Sequence, residues 1–158
     1  MSGLILQLLF ATRVPSPHPA KEPLPPRVME TFQYLKSVAP SSSEAAAQER
    51  LRKPIDPAVF FALISSDGLL FSDVLPGAPG HVGLEELRKA LKSQRGIVYR
   101  YLVGLTVDIA GSTDLSLAGF ETHNGVTSVS LASFVLTFVS EGGPLRLHEV
   151  RSTDPGGD

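Results

Sequence analysis

Asp73 closes the apolar run Leu69 to Phe71 and stands just before a loop of Gly and Pro, "PGAPG" at 76–80. A carboxylate at the mouth of an apolar pocket is desolvated, which raises its pKa and lets it take and return a proton near neutral pH. An Asp at a strand end can equally accept from a nearby backbone amide and punctuate a turn. Both roles suit the residue and its place. His81, His123 and His148 fall in a loop, a turn and the last strand, without H-x-x-x-H or H-x-H spacing, so no metal site is expected. Tyr99 and Tyr101 share one face of an expected strand with Ile97 and Val103, where aromatic pairs serve as core or pocket wall. Gly77, Gly80 and Gly83 invite a phosphate-loop reading, but Pro79 intervenes and no Lys-Ser/Thr ending follows. No G-x-S-x-G or dinucleotide fingerprint occurs either, so no cofactor is expected.

The chain that must position these groups has 158 residues, 42% of them hydrophobic, which is enough for the core of one domain. A net charge of −2, without a dense Lys/Arg run, gives no electrostatic footprint for nucleic acid or an anionic membrane. The absence of cysteine removes disulfides, thiolate metal sites and Cys nucleophiles, and fits any redox compartment. Leu4 to Phe10 is far shorter than the roughly 20 residues of a membrane span. Residues 1–14 read either as a signal-peptide h-region lacking its basic flank and cleavage site, which implies a secreted or periplasmic protein, or as a short element packed on a cytoplasmic one. Six prolines between Pro15 and Pro26 make an extended linker, so the expected domain is 27–151, with 152–158 a disordered tail.

Within that domain, Val28, Phe32, Leu35 and Val38 predict a helix over Arg27–Ala39. Ser43, Glu44 and an Ala run predict a second helix. Asp56-Pro57 predicts a short third helix ending near Ser65, although Val59, Phe60, Phe61 and Ile64 also suit a buried strand. A strand "GLLFSDV" follows the Asp67-Gly68 turn, and Leu84, Leu87 and Leu91 line the apolar face of the clearest helix. Beyond Gly96 the pattern predicts strands at Ile97–Ile109, Leu115–Glu121, Val126–Ser140 and Leu145–Arg151, with a bulge at Gly104. Helices first and strands last make an α+β fold, with helices packed on a strongly curved antiparallel meander.

The segment "FFALISSDGLLFSD", a loop, and "GLEELR" at 83–88 resemble the nuclear transport factor 2-like superfamily, which includes SnoaL-like proteins and ketosteroid isomerases. The element order extends the resemblance over about Arg27 to Arg151, with its specific part in some 30 residues around Asp73. It implies a cone-like, cystatin-like roll with an apolar pocket at one end. In ketosteroid isomerases the Asp that closes the first strand is the general base, assisted by a Tyr of the first helix and an acid on a late strand. Asp73 and Tyr34 match the first two positions. "SLASFVLTF" contains no acid for the third.

Two functions stay open. One is a noncatalytic module that binds a small apolar molecule or a protein partner in a pocket walled by Phe60, Phe61, Leu70, Tyr99, Tyr101, Phe134 and Phe138, or pairs with a second copy through the sheet. The other is a lyase or isomerase in which Asp73 abstracts a proton beside a carbonyl with help from Tyr34. A longin- or roadblock-like scaffold is a further α+β resemblance, and it makes "VFFALISSDGLLFSDV" a hairpin about Ser66-Asp67-Gly68.

Overall fold

The computed structural model describes residues 23–41, 50–74, 77–112 and 118–153. Helix α1, Pro26–Val38, begins with Pro in its first turn, where a missing N–H costs nothing. It buries Val28, Thr31, Phe32, Leu35 and Val38 along one stripe. Packing begins before Arg27, since Leu24 already belongs to the core. Most of the expected Ser43-capped helix lies outside the described residues, and its end, Arg50 to Lys53, is not helical.

Helix α2, Pro57–Phe61, is capped as its sequence predicts: the Asp56 carboxylate accepts from the Ala58 N–H at 2.9 Å. It stops short of Ser65. The chain then straightens, and Ile64 bridges Leu147 in parallel, with the Ser65 N–H donating to the Leu147 carbonyl and the Leu147 N–H donating to that of Leu63. The segment therefore holds both a helix and a strand-like end, rather than one of the two. It forms no hairpin with strand β1, Leu69–Asp73, because both pair in parallel with the same later strand.

Strand β2, Gly80–Val82, pairs antiparallel with β1. Helix α3, Leu84–Ser93, opens with the Glu86 carboxylate accepting from the Gly83 N–H and buries Leu87 and Leu91. The expected strand Ile97–Ile109 is instead a helix, α4, spanning Ile97–Gly111. Its β-branched and aromatic residues favour a strand locally, but Tyr99, Leu102, Val103, Thr106 and Ile109 are buried at helical spacing. Burial on that stripe outweighs the propensity. Gly104 makes no bulge; a Cβ there would stand 3.5 Å from the Phe134 ring, an ordinary contact.

Strands β3, Gly119–His123, β4, Val126–Ser130, β5, Phe134–Ser140, and β6, Leu145–Ser152, complete the fold. The single long strand expected over Val126–Ser140 is broken at residues 131–133, where the Asp108 carboxylate of α4 accepts from the Ser133 N–H at 2.8 Å. Burial pushes that carboxyl's pKa up, against the opposing pull of backbone N–H groups from residues 132–134. Among the described residues six strands form one sheet in the order β2-β1-β6-β5-β4-β3. The α+β class stands, but the sheet is not a plain antiparallel meander, because the last strand lies in its interior and pairs in parallel with β1. Helices α1 and α4 pack on each other, and Phe32 of α1 meets Phe138 of β5 edge to face. Among the described residues no helix is long and apolar enough to cross a membrane.

Two substitutions check this packing. Leu87 is fully buried, so Leu87→Ala should lower the unfolding free energy by about 2–5 kcal/mol through lost burial and a residual cavity. Gly68 has φ +110°, and a Cβ there would run into the Val82 carbonyl and approach the Gly83 Cα to 2.9 Å. Gly68→Ala should therefore cost at least about 2 kcal/mol from backbone strain and displacement of β2. Urea denaturation reads both; a loss under about 0.5 kcal/mol in either would contradict the placement.

Candidate functional site

Alternation along β1 turns Leu69 and Phe71 into the core, and the same parity carries Asp73 to that face at the strand's end. There it meets α4. The Tyr101 hydroxyl donates to Asp73 Oδ2 at 2.6 Å, a short bond of the charge-assisted kind. The Tyr101 ring is held edge-on by Phe71 at 5.7 Å and Phe134 at 6.4 Å between centroids. Burial, then the hydrogen bond and negative charge of Asp73, push the Tyr101 pKa up to about 12. At neutral pH the Tyr101 phenol thus keeps its proton and its hydrogen bond to Asp73.

The structure brings Asp73, Tyr101 and Phe134 together and leaves the other predicted residues elsewhere. Tyr34 is engaged with another segment: its hydroxyl accepts from the Asp56 N–H at 2.8 Å and pins the start of α2. Tyr101 occupies the place beside Asp73 that the resemblance gave to Tyr34. Phe60 and Phe138 are fully buried core residues. Phe61 is half-buried under the Arg88 guanidinium, 5.0 Å from its ring centre. Leu70 alternates with Leu69 and Phe71 and so faces the other side of the sheet. Tyr99 and Tyr101 do not share a strand face, because two residues on a helix turn by about 200°. Tyr99 instead reaches a cleft of about 460 Å³ between residues 50–54 and the α3–α4 junction.

The sequence reading missed Tyr101 as the direct partner of Asp73, and Phe71 as a ring that holds Tyr101 in place. Parity with Leu69 could have found Phe71; Tyr101 could emerge only once 97–111 were read as helical. The histidines stand apart. His81 lies 3.9 Å from Asp67 on the surface, His123 is exposed at the end of β3, and His148 sits at the register shift between β5 and β6. Among the described residues no group of three His, Asp or Glu side chains could hold a metal ion.

Compared with models of protein families, with curated proteins and with solved structures, the chain matches none.

The clamp has a spectroscopic signature. An ultraviolet pH titration should show one tyrosine ionising near 12, and that step should move toward the ordinary value of 10.0 in Asp73→Ala. The sign for stability follows from linkage: the folded state holds the phenol proton more tightly than the unfolded chain. Its contribution is complete below pH 10 and lost as the pH rises from 10 toward 12. A chain whose three tyrosines all ionise near 10 would contradict the clamp.

Proposed function

We propose that the protein is a noncatalytic ligand-binding module of the nuclear transport factor 2-like type. The order of elements supports the family reading in part: helices, a strand ending in Asp73, two further helices and four antiparallel strands, with α4 standing where the resemblance has a strand and β6 pairing in parallel with β1. The Tyr101–Asp73 hydrogen bond carries the noncatalytic part. A general base must offer its lone pair to a substrate proton, and one oxygen of Asp73 is already engaged by the Tyr101 hydroxyl. Tyr101 holds its own proton too firmly to serve in its place. The half-buried carboxyl of Asp108 is already bonded to the turn before β5.

One observation favours the lyase or isomerase reading. Among the described residues nothing donates to Asp73 Oδ1, so that oxygen is left to face a substrate.

Stability separates the two before any substrate is known. As a clamp, Asp73 stabilises the fold, and Asp73→Ala should cost about 1–2 kcal/mol, whereas Asp73→Asn, which still accepts from Tyr101, should cost less. Catalytic groups are commonly held at the expense of stability, so a base should yield a protein as stable or more stable on replacement. Urea unfolding in which Asp73→Ala gains stability would overturn the noncatalytic reading.

A further inference from the structure

The cleft beside Tyr99 is walled by four cationic side chains, Arg50, Arg52, Lys53 and Arg95, and among the described residues no acidic one lines it. The whole chain has a net charge of −2, so this concentration of positive charge is local. Among the described residues none of the four forms a salt bridge, and one side-chain hydrogen bond engages them, from Arg52 Nη2 to the Ser37 carbonyl at 2.6 Å. The C-terminus of α3, at Ser93 and Gln94, supplies some negative potential, but a helix end is equivalent to only about half a charge. Four like charges around so small a volume repel one another, and that half charge cannot balance them.

Below the cations lies Tyr99, only 4% exposed. Its hydroxyl makes no hydrogen bond among the described residues, although a buried phenol ordinarily has a partner. At about 460 Å³ the cleft has the size of a small-ligand site.

We propose that this cleft binds a small anion bearing two or more negative charges, gripped by the guanidinium groups of Arg50 and Arg95 with Lys53 at its rim and Tyr99 beneath. Guanidinium forks match phosphate and carboxylate oxygens in pairs, so phosphate esters and polycarboxylates share the required chemistry. The ligand is thus polar and anionic, in place of the apolar molecule expected for an aromatic-walled pocket. The inference rests on the reading of the chain as a binding module. Because the Asp73 variants test that reading without reference to the cleft, the two can fail separately.

The test is calorimetric titration of the full chain, at low ionic strength, with inorganic pyrophosphate and separately with citrate. Saturable one-to-one binding of at least one is expected, with pyrophosphate preferred if the natural ligand is phosphorylated and citrate if it is a polycarboxylate. Arg50→Gln/Arg95→Gln should weaken binding at least about tenfold, the scale of losing a charge-assisted contact. Lys89→Gln/Arg151→Gln removes the same formal charge from exposed sites outside the lining and should change affinity by less than about twofold. Circular dichroism checks folding, and Lys53→Gln gives the same comparison if the double variant does not fold. Absence of saturable binding of both probes, or an equal loss in both double variants, would overturn the proposal, since equal loss means diffuse attraction and no site.

Discussion

The position of β6 inside the sheet is the constraint on which the rest of the architecture depends. Its residues Glu149 to Ser152 pair in parallel with Leu70 to Asp73, and its other edge pairs antiparallel with β5. Its earlier part receives the Ile64 bridge, and the Arg27 guanidinium of α1 donates to the Leu145 carbonyl. Arg146 Nη1 donates to the Ile64 carbonyl at 3.1 Å, while Glu141 accepts from the Ser65 hydroxyl at 2.6 Å. That second bond is the main reason the Glu141 carboxyl is held below its ordinary pKa. Elements from both ends of the described chain therefore converge on one strand. The sheet is complete only after contacts of long sequence separation form, and closing such loops is entropically costly and slow.

Features governed by neighbouring residues were legible in the sequence, and features governed by distant ones were not. Helix α1 could be read from Val28, Phe32, Leu35 and Val38, helix α2 from its Asp-Pro start, and α3 from its leucine stripe. The α4 segment misled because Ile97, Val98, Tyr99, Tyr101 and Val103 are good strand residues, and only burial against α1 and the sheet decides for a helix. The break at 131–133 was hidden for a similar reason: it depends on Asp108, more than twenty residues earlier in the chain. Parallel pairing of β1 with β6 leaves no local trace at all.

The same division runs through the candidate sites. Asp73 stood out because a strand end before Gly and Pro is a local signal. Its partner did not, since the Tyr101 hydroxyl reaches Asp73 only when α4 lies across β1. The resemblance offered Tyr34, which instead secures α2. In the cleft, Arg50 to Lys53 and Arg95 are some forty residues apart in sequence and meet only because the segment before α2 packs beside the α3–α4 junction. Arg50, Arg52 and Lys53 are neighbours along the chain, but Arg95 and Tyr99 join them only in space.

The two borders of the sheet are unequal. At one, β2 has three residues; at the other, β3 offers five, mostly exposed, with one side paired to β4. A three-residue border is too short to template another strand, which is a common way of preventing uncontrolled association. Among the described residues only β3 forms a border long enough to be extended by a further chain. If two molecules met there about a two-fold axis, each would consume the other's one usable border, and growth would stop at two. Among the described residues, such asymmetry would make association through the sheet's borders self-terminating, which works against fibre growth.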